Sequence, residues 1–283
     1  MSGALTTCPT TALRLTVLVE NTSPGPHLVA EHGFAAVMET DRGMVLFDTG
    51  ASGTALLANA EALGVALWRT QAIVLSHGHH DHTGGLASAL SAAPQARVHL
   101  HPRSTARRWT RRRGPQRPIG MPDDGRAALA RAACRFVEQP QVLAEGLLVS
   151  GPVPGPAAPS QEGFVVEAES GPAADDFADE MFGLARTRAG WVLVTGCCHR
   201  GLRNTLALAL RLSGGEPIRT VVGGLHLKGQ PPASLEAAAA AMERAGTTDT
   251  LIGHCTGETA VAFLAARCAA RVEAMQVGSR KAW

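Results

Sequence analysis

Residues 71–85 read QAIVLSHGHHDHTGG, a short run of wholly apolar residues that passes directly into four histidines and one aspartate between His77 and His82. An apolar run of this length, bounded by turn signals, is a strand buried on both faces, as in the parallel sheets of α/β proteins. In such architectures the residues just beyond the carboxyl ends of strands converge on one crevice. The polar cluster is thus expected at a crevice.

The rest of the chain supplies the sheets. LRLTVLVE, GFAAVMET and MVLFDTG read as strands, and TALLANAEALG as a helix. After the histidine cluster, GGLASALSAA is expected to be a helix and ARVHLH a strand. FGLARTRAGWVLVTG is a hairpin turning near Ala189-Gly190, followed by helix GLRNTLALALRLSGG and strand IRTVVGG. Helix SLEAAAAAMERAG, strand DTLIG, helix ETAVAFLAARC and strand RVEAMQVG complete it. Strands pair locally and then alternate with helices in each half, which suits two packed sheets with helices on both outer faces. A single domain over 1–283 is expected, with an irregular arginine- and proline-rich insertion at about 102–180 that includes GPVPGPAAPSQEG.

With 45% hydrophobic residues the chain can bury a large core, and its 18% charged fraction and formal charge of +2 describe an ordinary globular protein. No apolar run approaches the roughly 18–20 residues of a membrane span. The first twenty residues lack the charged start and apolar core of a secretory signal. A cytoplasmic protein is expected, with no membrane partner. Six cysteines without C-x-x-C spacing read as reduced thiols.

In an extended segment residues i and i+2 project to one side, so His77 and His79 address one point. Asp81 and His82, where the chain turns into a helix, address a second. Imidazole and carboxylate suit zinc, and a pair of such ions about 3.5–4 Å apart is a recurrent catalytic unit. Further ligands are expected at later strand ends: Cys197, Cys198 and His199 in VLVTGCCHRG, His226 in TVVGGLHLKG, and His254 and Cys255 in LIGHCTG. Asp48, at the end of MVLFDTG, suits accepting the free N–H of a ligand imidazole. His32 and His226 are candidates for general acid or substrate contact, and His80 is expected to face the rim. Seven arginines and Trp109 between His101 and Arg117 suit a phosphate-bearing small molecule or, less well, nucleic acid; a solvated helical face is the plain alternative.

LFDTG, SHGHHDH, TGCCHRG and GHCTG together resemble the metallo-β-lactamase superfamily. EHGFAAVMETDRGMVLFDTG, GCCHRGLRN and VGGLHL are similar to its subgroup of dihydropterin-related synthases and metallo-hydrolases. The resemblance spans about residues 14–277 and implies an αββα sandwich, two mixed sheets flanked by helices. It implies that His77, His79 and His199 bind one metal, and that Asp81, His82 and His254 bind the other. The superfamily's bridging aspartate is replaced here by Cys197 or His199, and its PGH turn is absent. Cys197, His199 and Glu180 therefore stand as alternatives for the remaining positions.

The implied activity is a binuclear metallo-hydrolase using a metal-bound hydroxide on a small, anionic, phosphorylated or ester-type substrate, with Asp81 and His226 as catalytic residues. Two divalent ions are expected, zinc first, with manganese or iron as alternatives. The competing readings are a dihydropterin-related synthase that displaces diphosphate, a non-catalytic small-ligand sensor, and a nuclease.

Overall fold

The computed structural model describes Thr10 and residues 12–283 apart from 113, 145 and 159–161. Its apolar strands lie in two seven-stranded sheets. The first runs Arg280–Ala282, Leu13–Val19, Ala35–Thr40, Gly43–Phe47, Thr70–Val74, Arg97–Leu100, Cys134–Phe136. The second runs Arg271–Ala274, Asp249–Gly253, Ile218–Gly224, Gly190–Thr195, Phe182–Thr187, Leu147–Val149, Gln141–Ala144. Both sheets are mixed. Antiparallel hairpins occupy one half of each, and parallel strands such as Gly43–Phe47, Thr70–Val74 and Arg97–Leu100 the other.

Alternation along each strand explains why these runs are apolar throughout. Leu13, Leu15, Val17, Val45, Phe47 and Val74 of the first sheet meet Val149, Val192, Val194, Val222 and Leu251 of the second in a core between the sheets. The intervening Leu46 and Ile73 face outward onto helices Gly53–Ala62 and Leu86–Ala92 through Leu56, Ala60, Leu86 and Ala89. Likewise Leu193, Val221 and Ile252 face helices Leu202–Leu212, Pro232–Ala245 and Glu258–Arg267. Each large apolar side chain buried in these layers stabilises the fold by roughly 1.5–3 kcal/mol. The result is the expected αββα sandwich, whose helix-bearing strands end along one edge.

The segment 102–180 is more regular than its composition suggests. It adds Cys134–Phe136 to the first sheet and Gln141–Ala144 and Leu147–Val149 to the second. It also builds a four-stranded sheet from Gly171–Ala174, Phe164–Ala168, Arg108–Thr110 and Arg117–Pro118. These strands have only two to five residues, too few for a period to register. Residues 151–158, by contrast, form no helix or strand, as their Pro and Gly content requires. Cys134, Cys197, Cys198, Cys255 and Cys268 are free thiols; Cys8 lies outside the described residues. Among the described residues no helix is long and apolar enough to cross a membrane.

Candidate metal centre

Strands Gly43–Phe47 and Thr70–Val74 run parallel and deliver Asp48 and Ser76 side by side. Asp48 is fully buried; its Oδ1 accepts from the Ser76 amide and its Oδ2 from the Ser76 hydroxyl, each at 2.7 Å. His82 Nδ1 lies 2.7 Å from Asp48 Oδ2, so Nδ1–H donates to the carboxylate and Nε2 keeps its lone pair. Having donated to Asp48, the Ser76 hydroxyl accepts from His77 Nδ1 at 2.9 Å, and His77 too keeps a basic Nε2. This group needs glycine at 196: a Cβ there would sit 2.2 Å from Ser76 Oγ and 2.9 Å from Asp48 Oδ2.

Two donor sets form above this platform. In the first, His77, His79 and His199 bring one ligand atom each within 4.8 Å of one another. Burial holds all three imidazoles well below the ordinary histidine value, so they are neutral. The Nε2 atoms of His77 and His79 are buried and make no hydrogen bond among the described residues. Neutral imidazoles with convergent lone pairs are what a divalent cation requires.

In the second, Asp81 Oδ2 lies 3.5 Å from His254 Nε2, 3.7 Å from His82 Nε2 and 3.3 Å from His32 Nε2. His82 Nε2 and His254 Nε2 are 3.2 Å apart. Burial opposes ionisation of Asp81, but His82, His254 and His79 together hold its carboxyl well below the usual range. Burial likewise opposes protonation of His254, yet Cys255 and Asp81 push it up to about 9. A proton thus neutralises this anionic set where a cation is able to replace it. Cys197 sits between the sets, with Sγ 3.2 Å from His82 Nε2, and groups with His77 and His82, with His199 and His226, and with His254 and Cys255.

Glu180 belongs to neither set. Its Oε1 and Oε2 accept from the backbone amides of His199 and Arg200 at 2.5 and 2.7 Å, and burial pushes its carboxyl up to about 8. The neighbouring turn carries most of what sequence reasoning missed. Phe177 stacks on His199 with centroids 4.0 Å apart and meets His79 edge-on at 5.5 Å. Asp179 Oδ2 accepts from the Gly78 amide at 2.8 Å, while Arg108 bonds Asp175 and Asp179, each at 2.8 Å. A Cβ on Gly78 would meet Ser104 O at 2.2 Å and Arg108 Nη1 at 2.3 Å, so the His77–His82 loop is clamped from both sides. On the other flank Asn21 donates to the His254 carbonyl at 3.0 Å and sets its Oδ1 3.2 Å from His254 Nδ1. Glu20 accepts from the His254 amide.

The described non-glycine residues with positive φ are Asp48, Phe177, Cys198, His226 and His254, at 50–62°. All border this site. Cys198 turns away into the core, its Sγ on Thr195 Oγ1. His226 lies at the cleft wall, 4.4 Å from His199 between ring centroids. His32 is exposed and stacks on His254 at 5.1 Å, and His80 is half-buried at the rim.

The cleft over the two sets has a volume of about 220 Å³ and is lined in part by Arg112, Arg117, Lys228 and Phe164. The arginine run does not form one helical face. Arg108 is buried in its ion pairs, Arg103 reaches Asp176, Arg112 lies over Phe164, and Arg113 is outside the described residues.

A family model for the metallo-beta-lactamase superfamily matches residues 29–174. An uncharacterized protein of Methanocaldococcus jannaschii is 30% identical over 215 residues, 75% of this chain and 79% of that protein. The 7,8-dihydropterin-6-methyl-4-(beta-D-ribofuranosyl)-aminobenzene-5'-phosphate synthase of the same organism is 24% identical over 240 residues, 81% of this chain and 82% of that one. A crystal structure described as a metal-dependent hydrolase of the beta-lactamase superfamily aligns with a TM-score of 0.81 and 29% identity, covering 95% of this chain and 98% of its own.

Proposed function

The chain belongs to the metallo-β-lactamase superfamily, and from that premise we propose that it is a two-metal hydrolase acting on a small anionic substrate. The observation that carries this reading is the convergence of two adjacent donor sets at a cleft with cationic side chains. One divalent cation is assigned to His77, His79 and His199. The second is assigned to Asp81, His82 and His254, with Cys197 between them. A nitrogen-rich set with a thiol at its centre favours zinc over manganese. When bound, such ions supply Lewis acidity toward a carbonyl or phosphoryl oxygen and bring the acidity of water close to neutrality.

The chain's own residues then have distinct tasks. Asp48 and Ser76 fix the tautomers of His82 and His77, and Asn21 and Glu20 fix His254. Asp81, held ionised by its imidazole neighbours, takes the proton of the attacking water at a carboxylate oxygen. His226, beside His199 on the cleft wall, gives its own proton to the departing oxygen and is reprotonated from solvent, to which Asp81 releases the proton it took from water. Arg112, Arg117 and Lys228 attract and orient the anionic group. A cleft of about 220 Å³ suits one small group better than a nucleic-acid strand.

A second reading, a dihydropterin-related synthase that displaces diphosphate, is favoured by the 24%-identical relative and by the same cationic mouth, which suits phosphate. Release of diphosphate rather than of a hydrolysis product separates the two. The direct test measures metal by elemental analysis and turnover of bis(p-nitrophenyl) phosphate in wild type and His79→Ala. The variant is expected to lose at least one metal equivalent and all turnover; a variant with full metal content overturns the assignment.

A further inference from the structure

A second, larger cavity of about 760 Å³ adjoins the cleft at His254. Asn21, Lys228 and His254 line both spaces, so one molecule is able to lie across His254 and fill the two together. The larger space differs in chemistry from the smaller. Its walls are largely apolar: Leu227, Leu235, Ile252, Ala260, Val261 and Met275. Of its two acids, Glu20 is turned inward, with both carboxylate oxygens already accepting from His254, Thr22 N and the Thr22 hydroxyl, while Glu258 is exposed and disfavours an anion there. Arg112 and Arg117 line the smaller space and not the larger, and Lys228 stands between them.

This division of volume and charge specifies a two-part ligand. A cavity of about 760 Å³ lies within the roughly 300–1,000 Å³ range of sites that enclose most of a medium-sized organic molecule, far more than an isolated phosphate or carboxylate needs. The apolar walls match the faces of a ring system. Amide and hydroxyl side chains at the rim, from Asn21, Thr22, Gln230 and Thr259, match polar atoms at its edge. We propose that the larger cavity binds an uncharged aromatic ring system of the substrate while its anionic group lies beside Arg112 and Arg117. This rests on the reading of the adjoining cleft as the reaction site, and it deepens that reading by naming the substrate class.

Anilinonaphthalene sulfonate, an aromatic ring system carrying one anionic group, is a suitable probe. It is titrated calorimetrically into the zinc-supplemented full chain and into Thr259→Trp and Ala262→Trp. Both positions are exposed residues at the cavity, where an indole occupies space without disturbing the core. Each substitution is expected to raise the probe's Kd about tenfold or more. An unchanged Kd in both variants overturns the proposal. Arg117→Ala, at the smaller space, is expected to raise the probe's Kd as well; an unchanged Kd there removes the anionic half of the proposal and overturns it. Metal content is measured separately. A chain that holds no metal yet binds the probe in a Thr259-sensitive way removes the hydrolase reading and leaves the ring site standing.

Discussion

Arg108→Met would leave two buried carboxylates facing each other. In the folded chain Arg108 is 2% exposed and bonds Asp175 and Asp179, which are 5% and 0% exposed. Methionine retains much of the apolar stem, so what is lost is charge and hydrogen bonding rather than volume. Removing one partner of a buried ion pair costs about 3–5 kcal/mol, because the remaining charge has nothing to replace water. Two carboxylates remain here, so the upper end, about 5 kcal/mol, is expected. At about 2–4 °C per kcal/mol for a chain approaching this size, Tm falls by roughly 10–20 °C.

The pH dependence gives a sign that a packing defect would not. Burial already pushes the Asp175 carboxyl up with Arg108 beside it, and loss of the guanidinium pushes it further. A folded-state pKa above the unfolded one means that the folded chain binds the proton more tightly, so the variant's penalty relative to wild type shrinks as pH falls from 7 to 5. Urea unfolding followed by circular dichroism at both pH values measures this. A loss below about 1 kcal/mol, or a penalty that grows with acid, refutes the reasoning. Because Asp179 also holds the Gly78 amide between His77 and His79, the same variant should weaken metal binding about 10–100-fold in competition with a chelating dye.

Other perturbations separate the parts of the site. Asp48→Asn keeps a residue that tolerates φ of 57° but weakens the acceptor for His82 Nδ1 and for the Ser76 hydroxyl that orients His77; it should lower metal affinity about 10–100-fold, and unchanged affinity would contradict the assignment. Cobalt-substituted protein should show sulfur-to-metal charge-transfer absorption that Cys197→Ala removes; an unchanged spectrum excludes the thiol as a ligand. Far from the site, burial together with Arg97 and Arg135 holds His99 down to about 4, whereas the unfolded imidazole binds its proton near about 6.5. Stability should therefore fall as pH drops through that window. His99→Gln should remove about 1–2 kcal/mol of the fall, after discounting for partial exposure, and an identical pH profile would refute this.

What could be read from the sequence follows from the range of the signal. The helix-bearing strands announce themselves because both faces are buried, and His77 to His82 stand out because six adjacent positions carry five donors. His199 and His254 are legible through the same strand-end context. Asn21, Phe177, Asp179 and Arg108 are not, because each acts through a partner far along the chain: Asn21 on His254, Asp179 on Gly78, Arg108 on Asp175. Nothing local distinguishes them from ordinary turn and surface residues. Arg108 is the sharpest instance, since a charge run ordinarily marks solvent and here hides a fully enclosed cation. The strand Arg280–Ala282 that extends the first sheet beside Leu13–Val19 is similarly unreadable, being three residues long and partly exposed.

The left-handed backbone at Asp48, Cys198, His226 and His254 also limits how this protein can be made tougher. Each such residue forfeits roughly 1 kcal/mol or more relative to glycine in the same conformation. A search for heat-resistant variants that scores only the melting point would be drawn to these positions first. At Asp48, His226 and His254, glycine relaxes the chain and deletes a side chain of the candidate site in a single substitution, so on the proposed reading such a screen would select against activity unless those codons were held fixed.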